Sequence, residues 1–82
     1  MAKAKFEVGE SEKHTIDVNA NIVLKYIRIY VDGERVIDVV NLTPTRDFKL
    51  EVGNSETHQV EIKIRAFTPI RLFVDGNEAQ QI

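Results

Sequence analysis

Two stretches of this chain are near-copies of each other. Glu7-Val8-Gly9 with Ser11, Glu12 and His14 returns as Glu51-Val52-Gly53 with Ser55, Glu56 and His58, an offset of 44 residues. Ile27-Arg28 with Val31-Asp32-Gly33 returns as Ile70-Arg71 with Val74-Asp75-Gly76, an offset of 43. Eleven of the twenty positions aligned over Phe6–Val18 and Ile27–Gly33 are identical. The pairs Ile16/Val60, Asp17/Glu61 and Tyr30/Phe73 keep their character. A duplicated supersecondary unit constrains the architecture strongly, because each copy must present its apolar side to the other.

Alternation with a period of two runs through both copies, and no window shows the helical period of 3.6. Ile27, Ile29 and Val31 fall on one side of an extended segment, with Arg28 and Tyr30 on the other. Ile70, Leu72 and Val74 alternate in the same way with Arg71 and Phe73. His58, Val60, Ile62 and Ile64 alternate with Gln59, Glu61, Lys63 and Arg65, and Phe48, Leu50 and Val52 with Lys49 and Glu51. The inward set is rich in β-branched residues, which suit a pleated and half-buried surface.

Turn residues divide these runs. Asp32-Gly33 lies between two alternating segments, a strong hairpin signal, because a type I′ turn needs two residues at positive φ. Asp75-Gly76-Asn77 repeats the device. Gly9 and Gly53 connect the first two strands of each copy. Asn19-Ala20-Asn21 and Phe67-Thr68-Pro69 read as looser connections, and Thr43-Pro44-Thr45 lies between the copies. The expected strands are Lys5–Val8, Lys13–Val18, Val23–Val31, Arg35–Val40, Arg46–Val52, Thr57–Arg65, Ile70–Val74 and Glu78–Ile82. This predicts a single all-β domain over residues 1–82, with internal repeats at 6–40 and 48–82. The fold class is an eight-stranded antiparallel β-sandwich or small barrel with a pseudo-twofold axis.

Composition narrows the function classes. Eighty-two residues accommodate one core, and 43% apolar with 29% charged residues is a folded composition. The chain has no cysteine, which excludes disulfides, thiolate zinc ligands and thiol nucleophiles. No apolar run approaches the roughly 18–20 residues that cross a bilayer, and Met1–Lys5 lacks the apolar centre of a signal peptide. A cytoplasmic protein without a membrane partner is therefore expected. With 11 basic against 13 acidic residues, the net charge of −2 disfavours nucleic acid as a partner, since such binding rests on neutralised phosphates.

His14-Thr15-Ile16-Asp17-Val18, twelve further residues, and then Val31-Asp32-Gly33-Glu34 resemble the C-terminal domain of the Fas apoptotic inhibitory molecule family. Phe48, Leu50, Val52 and Gly53, the alternating strand Val60–Ile64, and Leu72-Phe73-Val74-Asp75-Gly76 follow the same order, so the resemblance spans Phe6 to about Ala79. The tryptophan-containing segment of that family is absent, and Val36–Thr43 stands in its place. Val31-Asp32-Gly33-Glu34, Thr43-Pro44, Leu50 and His58-Gln59-Val60-Glu61-Ile62 also resemble, with stretched spacings, the PEGA repeats of microbial proteins. Either resemblance implies a non-catalytic β module engaged in protein interactions.

The chemistry-bearing residues are few. His14 and His58 occupy equivalent positions, with Glu12 and Glu56 beside them, which raises a metal pair across the pseudo-twofold axis. Metal centres want three or four ligands, so capping of the core edge is the preferred reading and no metal or other cofactor is expected. Asp32 and Asp75 fall at hairpin tips, where turn chemistry accounts for them. Ser11 and Ser55 follow glycines in loops and lack a base held by an orienting partner. No catalytic residue is assigned, and an enzyme is not expected.

The outward residues Tyr26, Arg28 and Tyr30, echoed by Arg71 and Phe73, form the candidate binding set. Arginine among aromatics suits a protein surface, a sugar or single-stranded nucleic acid. The expected function is a non-enzymatic protein-interaction or structural module that associates with a protein partner or with itself. A homodimer would use an edge strand, with Val36–Val40 or the C-terminal strand as candidates, or the aromatic face. The alternative is a module binding nucleic acid or carbohydrate through the Arg/aromatic face.

Overall fold

The computed structural model describes residues 2–21, 25–40, 46–65 and 69–82. Among the described residues eight strands follow one another: β1 (Ala2–Val8), β2 (His14–Asn21), β3 (Tyr26–Val31), β4 (Glu34–Val40), β5 (Arg46–Val52), β6 (His58–Ile64), β7 (Arg71–Val74) and β8 (Asn77–Ala79). They form two four-stranded sheets, each an antiparallel meander of one repeat, in the orders β1-β2-β3-β4 and β5-β6-β7-β8. The two sheets make a sandwich, and among the described residues no strand is shared between them.

Alternation decides what the sheets enclose. Phe6, Val8, Ile16, Val18, Ile27 and Ile29 from the first repeat join Phe48, Val52, Val60, Ile62, Ile64, Ile70 and Leu72 from the second in one buried cluster. Ile16, Ile29, Ile62 and Leu72 are wholly excluded from solvent. These four are inward positions on the two central strands of each sheet, which have covered neighbours on both sides. A meander alone would leave that face wet, so each repeat completes the other.

The hairpin prediction holds in detail. Asp32 and Gly33 have φ of 52° and 82°, and Asp75 and Gly76 of 50° and 86°, as a two-residue turn between twisted strands requires. Several boundaries differ from the sequence reading. Asn19-Ala20-Asn21 is not a connection but the end of β2, because Asn19, Ala20 and Asn21 pair with Arg28, Ile27 and Tyr26. Asn and Ala are poor strand formers alone, and the neighbouring strand overrides that preference. The third strand starts at Tyr26 after Lys25 at a φ of 58°. The expected strand residues Val23 and Leu24, the connection Thr43-Pro44-Thr45, and Phe67 and Thr68 lie outside the described residues.

The last strand is also shorter than Glu78–Ile82. Its partner β7 has four residues, and the ladder ends at the Leu72–Ala79 pair. The chain then leaves its own sheet, and the Ile82 amide donates to the Lys5 carbonyl of β1 at 2.9 Å. One further departure separates the repeats. Ile29 pairs with Ile37 but Tyr30 with Arg35, which makes Val36 an extra, bulged residue on β4. The equivalent hairpin β7–β8 has no such insertion. The bulge keeps Ile37 and Val39 facing the core despite the adjacent apolar pairs Val36-Ile37 and Val39-Val40, since a one-residue slip would exchange the two faces.

Candidate functional site

Two groups of residues stand out once the sheets are assembled: a polar cluster where the β1–β2 and β5–β6 loops meet, and the outward faces carrying arginine and aromatic side chains.

The polar cluster begins with two tight loops. Gly9 has φ of 107°, and a methyl group there would lie about 2.0 Å from the Glu12 carbonyl oxygen. Only glycine lets the loop close on itself this way. Closure presents the amides of Glu10 and Ser11 to the other repeat, and the equivalent loop presents those of Asn54 and Ser55. Each pair of amides receives a carboxylate from the opposite copy. Glu56 accepts from the Glu10 amide at 2.9 Å, the Ser11 amide at 3.1 Å and the Ser11 hydroxyl at 2.8 Å. Glu12 accepts from the Asn54 amide at 2.6 Å and the Ser55 amide at 3.1 Å. The arrangement is isologous: every crossing backbone contact has a counterpart shifted by 44 residues in both partners.

Histidine ties each crossing carboxylate to a hairpin turn of its own repeat. His14 Nε2 lies 2.8 Å from Glu12, and its Nδ1 lies 2.5 Å from Asp32. His58 Nε2 and Nδ1 each lie 2.7 Å from Glu56 and Asp75. The aspartates also accept from the backbone: Asp32 from the Thr15 amide and Asp75 from the Gln59 amide, both at 2.9 Å. The imidazoles are mostly covered, with side-chain exposures of 13% and 17%.

The electrostatics follow from these contacts. Amide donation from Asn54, with the bond to His14, lowers the Glu12 carboxyl to about 2. The Glu10 amide, His58 and Ser11 hold Glu56 well below the usual carboxylate range. Asp32 and Asp75 are lowered, first by their histidines and then by the Thr15 and Gln59 amides. His14 is raised above 6.5 by Asp32 and then Glu12, and His58 by Glu56 and then Asp75.

Each histidine has both ring nitrogens committed to carboxylates, and among the described residues no group of three or more His, Asp or Glu side chains is placed to hold a metal ion. The sequence signal for the cluster was the doubled Glu-x-His with its doubled Ser. What the sequence concealed was the crossing, in which each glutamate serves the loop of the other copy. The turn aspartates likewise do more than adopt positive φ, because their carboxylates hold the histidines.

The five candidate binding residues fall on two separate surfaces. Tyr26, Arg28 and Tyr30 lie along β3 on the outside of the first sheet, whereas Arg71 and Phe73 lie on β7 on the outside of the second. The sandwich turns these faces away from each other, so one compact ligand cannot contact both. The Arg28 guanidinium lies 4.6 Å from the centre of the Tyr26 ring and donates to Asp38 at 3.3 Å. The Arg71 guanidinium lies 5.2 Å from the Phe73 ring and donates to both Glu78 oxygens at 2.9 and 3.0 Å. Lys63 approaches the same ring at 5.4 Å. Tyr30 sits opposite Asp17 on one side and Arg35 on the other. Val40 stands directly across from Tyr26 and is 70% exposed.

A comparison with known proteins adds no relative: no family model, no curated protein and no solved structure matches the chain.

Proposed function

We propose that this protein is a non-enzymatic β-sandwich interaction module that binds protein, and in the simplest arrangement a second copy of itself, through the outer face of its first sheet. The observation that carries the reading is the juxtaposition of Tyr26, Arg28 and Tyr30 with the exposed Val40. Tyrosine and arginine beside an exposed apolar side chain is the composition of protein-binding centres. Arg28 and Asp38 give the face both signs of charge, which suits docking against its own copy.

Free pairing of the β4 edge contributes less. Glu34, Arg35 and Asp38 and the bulge at Val36 blunt that edge in the manner of strands guarded against continuation. A nucleic-acid reading is weaker for a different reason: Arg28 and Arg71 are both paired with cross-strand carboxylates and carry little net charge outward.

Sedimentation velocity over a wide concentration range tests the proposal. The mass is expected to rise above the 9.4 kDa of one chain with concentration, and Val40→Lys and Tyr26→Ala are expected to reverse the rise. A mass that stays at one chain up to millimolar concentration would refute self-association through this face. Retention on single-stranded nucleic acid at low salt would favour the alternative.

A further inference from the structure

We infer that the two Asp–His–Glu chains form a pH-sensitive latch between the repeats, closed while both imidazoles carry a second proton and weakened when they lose it. A neutral imidazole offers one N–H and one lone pair, whereas a carboxylate offers only acceptors. Both nitrogens of His14 face carboxylate oxygens, at 2.5 and 2.8 Å, and both nitrogens of His58 do so at 2.7 Å. Four carboxylates and two imidazoles satisfy this geometry with two imidazolium ions. Removing one proton from either ring turns one short contact from a hydrogen bond into an opposition of lone pairs.

The contact at risk is the one that steadies each glutamate as it crosses to the other repeat. Asp32 and Asp75 are fixed in their turns, because their own amides donate to the Thr15 and Gln59 carbonyls at 2.8 Å and their carboxylates accept from the amides of the same residues. Glu12 and Glu56 are held across the junction by the amides of the opposite loop. A neutral His that keeps its proton on Nδ1 for the aspartate then presents a lone pair to the glutamate, and the glutamate leaves the amides of the opposite loop. The groups facing His14 are Asp32 from the β3–β4 turn and Glu12 from its own loop, and through Glu12 the amides of Asn54 and Ser55. Its cross-strand neighbour on β1 is the uncharged Val8, and the adjacent Lys13 is directed to Glu7 at 3.7 Å. His58 is faced by Asp75 and Glu56 and stands across from Val52.

The sign of the dependence follows from linkage. Both histidines are raised above 6.5 in the folded protein. Their contribution is fully present below 6.5 and is lost as pH rises through the folded values. The core, built from apolar side chains, has no part in this titration, so the change is confined to the loop end of the sandwich.

The test is amide hydrogen exchange resolved by residue on the whole protein between pH 5.5 and 9, corrected for the intrinsic rates, with the histidine ring signals followed in the same samples. Protection of the Glu10, Ser11, Asn54 and Ser55 amides is expected to fall as the histidine rings titrate, by at most roughly tenfold for each unit by which the folded histidines exceed their ordinary value, because the aspartate share of that rise persists in the open loop, while Ile29 and Ile62 hold theirs. His14→Gln and His58→Gln, made singly, are each expected to remove part of that pH dependence. Loop protection that stays constant while both histidine rings titrate would overturn the inference. So would an unchanged pH dependence in both variants. The wild-type measurement stands alone if either variant fails to fold.

Discussion

Replacing Gly9 with alanine offers a direct test of how tightly the β1–β2 loop closes. Two costs are involved, and a second glycine separates them. The φ of 107° is a conformation that side-chain-bearing residues avoid, at about 1–3 kcal/mol. The added methyl would also lie 2.0 Å from the Glu12 carbonyl oxygen, so one of the two backbones must move by about 1.4 Å to reach the 3.4 Å of an ordinary contact. Forcing atoms into such a packed site costs a further ~1–3 kcal/mol. Gly33 has φ of 82° but open space around the would-be methyl, so Gly33→Ala carries only the conformational cost. The expectation is about 1–2 kcal/mol lost for Gly33→Ala and ~3–5 kcal/mol for Gly9→Ala. At roughly 4–8 °C per kcal/mol for a domain of this size, the Gly9 variant should melt upward of ~12 °C below the wild type. Urea unfolding of both variants, with unchanged slopes, gives the comparison. Gly53→Ala must behave like Gly9→Ala, since its methyl would meet the Glu56 carbonyl at 1.9 Å. Equal losses for Gly9→Ala and Gly33→Ala would show that the loop does not close on itself as described.

Deleting Val36 removes the bulge and gives β3–β4 the register already seen in β7–β8, so the variant is expected to fold within ~1 kcal/mol of the parent in urea titrations; loss of cooperative unfolding would contradict it. Asp75→Asn keeps a residue that tolerates the turn but removes the charge beside His58, and the His58 ring signal should then titrate closer to 6.5. On the acid side, Glu12 lies at about 2 in the folded chain against an ordinary 4.5. Its contribution is present above 4.5 and is lost as pH falls towards 2, so Glu12→Gln should flatten the acid limb of a thermal-midpoint profile. Leu72→Ala, at a wholly buried site, should cost ~2–5 kcal/mol, while Val40→Ala at a 70% exposed one should stay within about 0.5 kcal/mol.

The legible part of this fold was the part governed by period and turn chemistry. Ile27–Val31 and Ile70–Val74 alternate without interruption, and Asp-Gly between alternating runs specifies a tight hairpin, so the two-sheet architecture follows from short-range information. Val36 escaped detection because two adjacent apolar residues fit either register, and only pairing with Ile29 and Tyr30 decides which one is extra. Asn19–Asn21 escaped because their strand character comes from β3 rather than from their own preference. The candidate site divides similarly. That Arg28 and Tyr26 share one outward face is a two-residue spacing along one strand and could be read directly, whereas the stacking of one on the other emerges only from the structure. The crossing of Glu12 and Glu56 depends on how two loops meet across the sandwich, which no local pattern encodes.

That crossing binds the histories of the two copies together. A change at Glu12 is first felt at Asn54 and Ser55, and a change at Glu56 at Glu10 and Ser11, so neither half can drift at these positions without disturbing its twin. Gly9/Gly53, Ser11/Ser55, Glu12/Glu56, His14/His58 and Asp32/Asp75 are all identical pairs, whereas Thr15/Gln59 and Lys13/Thr57, whose side chains take no part in the crossing, have diverged. A duplicated chain would ordinarily be free to specialise one half. Here the repeat that gives up its glutamate frees its neighbour's loop as well as its own histidine, and likeness between the halves becomes a condition of each one's stability.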